Sequence, residues 1–177
     1  RSQQDDVVVG RGEDERGLRA TQTILETTIE QPILIGRPDV IAARCDRMGL
    51  KIKPGEDFSM VNPEDDPRYR DYWSSYHEIM KRRGVTPDLA RMIMRTNTTA
   101  NAAIMVQREE ADAMICGLSG EYRWHLRYVS QVLGSETLHP QGSLSLMILE
   151  DGPVFIADTH VHVIPKPEQL AEIAVGA

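Results

Sequence analysis

Two stretches of this chain bring together side chains able to hold or act on a small anion. The first is Ala111-Asp112-Ala113-Met114-Ile115-Cys116-Gly117, continuing through Leu118, Ser119 and Gly120 to Arg127. A thiol, a hydroxyl, an imidazole (His125) and two guanidiniums (Arg123 and Arg127) follow one short apolar segment. A buried strand that breaks into a small-residue turn before a helix is where α/β folds place ligands. Cys116 needs a nearby base and a lowered pKa to serve as a nucleophile. His125 lies nine residues on, across the turn; a buried, inert thiol is the plainer reading. Arg123 and Arg127 stand four apart on one helix face, and either could bind phosphate or carboxylate. Arg123 equally reads as a solvated arginine. The second stretch is Asn97-Thr98-Thr99, before a helix that contains Asn101. It offers several donors at a helix start for a phosphate or amide, and equally reads as a plain N-cap.

Three weaker constellations stand beside these. Gly10-Arg11-Gly12-Glu13, between a strand and a helix, could form an anion-binding helix start. It lacks the Gly-Lys-Ser/Thr end of a P-loop, and Glu15 holds the third Gly position of a dinucleotide fingerprint. The acidic cluster Glu13-Asp14-Glu15 would repel phosphate, so a structural turn is the simpler reading. His160 and His162 alternate by two, which in a strand puts both on one face, but no third metal ligand stands at local spacing. Tyr69, Tyr72, Trp73 and Tyr76 read as core or helix interface rather than a base-stacking platform, because Glu64-Asp65-Asp66 lies beside them.

The elements that must position these groups follow from apolar spacing and turn residues. Val7-Val8-Val9 predicts a strand, and Asp14 opens an amphipathic helix through Leu18, Thr21, Ile24, Leu25 and Ile29. Pro32 to Gly36 predicts a second strand, and Pro38 starts a helix that Gly49 ends. Lys51 to Pro67 reads as an extended crossing with a strand at Phe58 to Val61. Helices are expected over 68–83, from Thr86-Pro87 onward, from Thr98 or Thr99 to about Glu110, and from about Glu121 to Leu133. A strand at 111–116 lies between the last two. After Gly134 the pattern turns β-like: 143–149 and 154–157, with Asp151-Gly152 as a hairpin turn, then a helix over 167–174. The β-α-β-α order at short spacing predicts parallel strands covered by helices, an α/β protein.

Bulk properties narrow the function. The 177 residues are 41% hydrophobic and 27% charged, as expected of a soluble globular domain. A formal net charge of −7 excludes a general nucleic-acid binder, which needs a basic footprint. No apolar run approaches the roughly 18 residues needed to cross a bilayer. Cys45 and Cys116 lack zinc-type spacing, and no signal peptide stands at the start, so free thiols in a reducing cytoplasm are expected. The chain opens on Arg1-Ser2-Gln3-Gln4-Asp5-Asp6 without an initiator Met, which suggests excision from a longer protein.

Several segments, taken in order, carry a resemblance. They are Gly12-Glu13-Asp14-Glu15-Arg16 with Leu18-Arg19-Ala20, Pro32 to Pro38, Asn62 to Tyr69, Arg82-Arg83-Gly84-Val85-Thr86-Pro87 and Arg95-Thr96-Asn97-Thr98-Thr99. Glu110 to Gly117, Phe155 to Thr159 and Pro167 to Ala174 complete the set. With these, the chain resembles the phosphate acetyltransferase family, and within it the phosphotransacetylase-like region of bacterial NADP-dependent malic enzymes. The resemblance implies a three-layer α/β/α fold like that of the isocitrate and isopropylmalate dehydrogenases. Residues 1–177 would be the N-terminal portion of that domain, with a change of subdomain near 134–142.

The family's opening turn reads Ser-Gly-Ala/Val-x-His-Thr/Ser-Thr/Ala, then a helical Arg and Pro. Here Cys116 replaces the Ser, Gly120 stands at the His position, Glu121 and Tyr122 replace small hydroxylated residues, and Tyr128 replaces the Pro. Lost phosphate-positioning groups cost a transition state directly. A later Ser/Arg/Asp set of the family cleft is also outside this sequence. The resemblance therefore implies a regulatory domain that senses acetyl-CoA and assembles a homo-oligomer. Arg127 would contact the ligand's phosphate, with Asn97, Thr98, Thr99 and Ser119 around it. It implies no cofactor in this segment; NADP and a divalent metal would serve malate decarboxylation in a region outside it. An active phosphate acetyltransferase and a purely structural oligomerisation domain are the alternatives.

Overall fold

The computed structural model describes residues 6–27, 31–134 and 142–176. It divides into two compact units, Arg1–Leu133 and Gly134–Ala177. In the first, β1 (Asp6–Val9) lies between β2 (Gln31–Ile35) and β4 (Ala113–Ile115), and β3 (Ser59–Val61) lies beyond β2. All pairs are parallel, and Val8 stands opposite both Ile33 and Met114.

Because side chains alternate across a strand, neighbouring valines of β1 enter different cores. Val9 and Leu34 pack with Leu18 of α1 (Glu15–Thr27), with Ile41 and Cys45 of α2 (Pro38–Met48), and with Phe58. Val8, Ile33, Ile35 and Val61 pack on the other face. Their partners come from α3 (Tyr69–Met80), α4 (Pro87–Thr96) and α5 (Thr98–Gln107). The sheet thus carries helices on both faces, as the β-α-β-α pattern requires.

The caps explain where helices begin and end. Gly49 closes α2 at φ 64°, a conformation that costs a residue with a Cβ. Thr86 Oγ1 accepts the Leu89 N–H at 3.3 Å, with Pro87 in the first turn of α4. The central α5 is buried from Thr99 through Met105, and its alanines at 100, 102 and 103 let its backbone approach its neighbours. At the margin of the core, Arg68 bridges Asp66 (2.9 Å) and Glu110 (3.1 Å), and the hydroxyl of the buried Tyr72 donates to Glu110 at 2.6 Å. This ties the start of α3 to the turn between α5 and β4.

Several expectations are corrected. The helix expected over 68–83 ends at Met80 and tightens into a 3-10 turn at Lys81–Arg83. The strand expected over 111–116 is only Ala113–Ile115, and it is not buried: Ile115 is 46% exposed. It pairs with β1 alone among the described residues, so it forms an edge. The helix before it stops at Gln107 because Glu109 takes φ 58°.

The second unit contains an antiparallel hairpin, β5 (Leu144–Leu149) with β6 (Gly152–Ala157), and α7 (Pro167–Gly176). Leu149 pairs with Gly152, so the loop is Glu150-Asp151, one step earlier than the expected Asp151-Gly152. Pro153 stands opposite Ile148, one pair from that loop. There an antiparallel ladder turns the N–H position away from the partner, so proline costs no bond. His160 and His162 do not lie in a strand, because β6 ends at Ala157 and Asp158 turns the chain at φ 56°. The His160 N–H bonds Ser143 Oγ at 2.9 Å, and His162 Nδ1 bonds Asp158 at 2.8 Å. The expected change near 134–142 falls largely on residues outside the described set. No described helix is long and apolar enough to cross a membrane.

Candidate functional site

From β1 the chain winds one way to β2 and β3, then returns to place β4 on the other side of β1. The crevice at the carboxyl ends of β1 and β4 is therefore a topological switch point, the usual ligand position in such sheets. Two turns rim it, one after β1 and one after β4, and the first is pinned to both neighbouring strands: the Gly10 N–H donates to Ile115 O at 2.9 Å, and the Gly12 N–H to Ile35 O at 3.0 Å. The start of α5 meets them. A cavity of about 410 Å³ opens here, walled by Arg11, Thr98, Thr99, Ser119, Trp124 and His125. Thr96, Gly120 and Glu121 also contribute.

His125 organises the wall. It is 7% exposed and sits on α6 (Tyr122–Val132). Its Nε2 lies 2.7 Å from Ser119 O, and its Nδ1 lies 2.8 Å from Thr99 Oγ1. A carbonyl oxygen only accepts, so Nε2 carries a proton. In the neutral ring Nδ1 then accepts, and the Thr99 hydroxyl donates to it. One imidazole thereby locks the β4–α6 turn to the first turn of α5. Gly120 takes φ 97°, and a Cβ there would lie 3.2 Å from His125 Nε2.

The Cys116 thiol is not activated. Burial pushes its pKa up, and the one proton of the neighbouring Thr99 hydroxyl is given to His125. No cation is among the causes of the shift, whereas a nucleophilic thiolate needs an electropositive setting.

The acidic run after Gly12 does not face the cavity as free charge. Glu13 holds Arg37 at 3.0 Å, Asp14 holds Arg16 at 3.0 Å, and Glu15 pairs with Arg47. The Arg37 guanidinium and N–H hold the Glu13 carboxyl below the usual range. Arg16 holds Asp14 down to about 2. Arg16 also donates to Leu118 O, linking the two rim turns. The close seat of Glu13 requires Gly36, where a Cβ would meet Glu13 Cγ at 2.8 Å.

The predicted site residues therefore separate. Thr98, Thr99 and Ser119 come together in the cavity wall. Asn97 is the N-cap of α5; its Oδ1 accepts the Ala100 N–H at 2.9 Å, and it is buried behind the wall. Arg127 lines a different groove, of about 340 Å³, with Tyr76, Arg83, Tyr128 and Gln131. On α6 it lies two residues past His125, about 200° around the helix at 3.6 residues per turn. The same wall brings in Arg11 from the Gly10-Arg11-Gly12 turn, His125, and Trp124, which carried no signal in the sequence. The repulsion expected of Glu13-Asp14-Glu15 at that turn is offset by the arginines that pair with them. Among the described residues no group of three or more His, Cys, Asp or Glu is placed to hold a metal ion.

Comparison with known proteins follows the same lines. The sequence model described as phosphate acetyl/butaryl transferase matches residues 1–177. The chain belongs to this family. An NADP-dependent malic enzyme of Salmonella typhimurium is 52% identical over 97% of the chain, which covers 23% of that protein. An NAD-dependent malic enzyme of Rhizobium meliloti is 49% identical, again over 97% of the chain and 22% of the relative. This member of the transferase family thus spans less than a quarter of the malic enzymes it matches. The crystal structure of a phosphotransacetylase from Streptococcus pyogenes superposes with a TM-score of 0.85 at 21% identity. It is matched over 98% of this chain and 52% of that one, and it shows the shared fold.

Proposed function

We propose that this chain is the acetyl-CoA-sensing and assembly module of a cytoplasmic malic enzyme, with malate decarboxylation carried out by a region outside it. In this reading the fold is the isocitrate/isopropylmalate dehydrogenase-like arrangement, NADP and a divalent metal belong to that other region, and the module forms a homo-oligomer. The observation that carries the reading is the state of the switch-point cavity. Hydroxyls, a helix start and one guanidinium converge on it, while the thiol is held up by burial and both imidazole nitrogens are engaged. Such a wall suits binding of an anionic ligand, with a thiol that is not held as a thiolate. The high identity to malic enzymes supports the same reading.

Thr98, Thr99 and Ser119 contact the ligand, and Asn97 holds the first turn of α5 in place. Acetyl-CoA regulates by binding one assembly state better than another, since only differential affinity moves such an equilibrium. Calorimetric titration of the intact protein with acetyl-CoA tests this; absence of binding refutes it. In the same titration Arg127→Ala decides whether the ligand extends to the second groove. A working phosphate acetyltransferase is the second reading, favoured by the family match. Acetyl-CoA formation from acetyl phosphate and coenzyme A by the intact protein would establish it.

A further inference from the structure

Arg11 stands where the wall of one cavity becomes the wall of another. It lines the switch-point cavity and also a neighbouring space of about 300 Å³, walled by Glu13, Asp14, Arg44 and Thr98. Arg11 and Thr98 are the residues common to both walls. The backbone beneath Arg11 has little freedom: a Cβ at Gly12 would fall 2.7 Å from Leu34 Cβ and 3.0 Å from Ile35 O. The Gly10 and Gly12 N–H bonds on either side hold the Arg11 backbone to β4 and β2.

Its charge is also left available. Glu13, Asp14 and Glu15 are each taken by another arginine, and the Arg44 head donates to the Glu13 carbonyl. The Arg11 charge acts on Asp14, but that carboxylate already accepts three bonds from Arg16. The three carboxylates that follow Arg11 are thus quenched by other cations while Arg11 is not, and Glu121 is the remaining acid in the wall of the larger cavity. That arrangement selects an anion at the junction, and the planar fork of arginine matches phosphate oxygens two at a time.

We propose that Arg11 anchors a pyrophosphate, and that the ligand's two arms run from it into the two cavities. The class of ligand is a nucleotide joined through a pyrophosphate to an acyl-bearing arm. The proposal deepens the acetyl-CoA reading and rests on it for the identity of the arms, but not for the anion itself. It also replaces Arg127 as the phosphate contact with a residue that lines the cavity.

The test titrates the intact protein with acetyl-CoA and, separately, with inorganic pyrophosphate, for the wild type, Arg11→Ala and Arg11→Lys. Loss of a charge-assisted phosphate contact is expected to weaken acetyl-CoA about 10- to 100-fold in Arg11→Ala. Arg11→Lys should recover part of the loss. Acetyl-CoA binding that is unchanged in Arg11→Ala overturns the anchor and leaves the sensor reading standing. If the wild type binds no acetyl-CoA, the sensor reading fails and pyrophosphate decides the anchor alone. Pyrophosphate bound by the wild type and lost in Arg11→Ala then keeps it, and no binding, or binding equal in both, refutes it.

Discussion

The units Arg1–Leu133 and Gly134–Ala177 bury their apolar residues to very different extents. The first buries both faces of a parallel sheet, with Leu18, Leu34, Ile41, Met94 and Ile104 fully enclosed. In the second, only Ser143 and Ile173 are buried among the described residues. Its hairpin leaves Leu146, Ile148 and Phe155 exposed, and Ile164 is 88% exposed. An isolated two-stranded hairpin is marginal in water, and an exposed apolar surface of this kind marks a place where other protein packs. The first unit encloses its own core and carries the candidate site. The second is patterned for a covering that its own described residues do not provide.

Substitutions can break this contrast. Leu18→Ala in the first unit should destabilise the isolated 177-residue chain by about 2–5 kcal/mol in chemical denaturation, because the cavity cannot collapse fully. Gly12→Ala should cost about 1–3 kcal/mol by overpacking against Leu34. A loss no larger than that of an ordinary surface substitution would show that the turn can move. Thr99→Val removes the donor to His125 Nδ1 and should cost about 1–3 kcal/mol, the price of leaving a buried nitrogen unpaired.

Acid should act on the first unit through Asp14. Its carboxyl is depressed on folding from an ordinary value near 3.8 to about 2. Its contribution is therefore complete above 3.8 and lost as pH falls through about 2. Asp14→Asn should flatten that part of the stability profile, and an unchanged slope would remove the ion pair from the account. The smallest effect belongs to the hairpin. Ile148, 84% exposed, should tolerate serine within about 0.5 kcal/mol in the isolated chain. In the intact protein, a larger loss for the same substitution would show that the hairpin is covered there.

The amino-acid pattern was sufficient for the elements and weak on their environment. The Pro38 start, the Gly49 stop and the Thr86-Pro87 cap are local chemistry, and each is found where the residues place it. The edge position of β4 is not local, because an apolar triplet reads alike whether one neighbour strand or two flank it. The site shows the same division. Thr98, Thr99 and Ser119 carried a visible signal as small polar residues at a helix start and a turn. Arg127 carried one too, as a helical arginine after the turn, but the rotation of α6 turns it to another groove.

The sequence by itself determined the alternation of strands and helices, the capped boundaries and the family, because these rest on spacing and short-range sterics. Only the tertiary structure decided which charges remain. Glu13, Asp14 and Glu15 look repulsive to phosphate in the sequence, yet Arg37 and Arg47 arrive from the next turn and from α2 to quench Glu13 and Glu15, while Arg16, two residues on, takes Asp14. Arg11 becomes the available cation through that pairing, and His125 becomes the clamp of the wall through a bond to Thr99, 26 residues away in the chain. Ion pairs and hydrogen bonds act over a few ångströms of space, and the fold alone sets which residues fall within that reach.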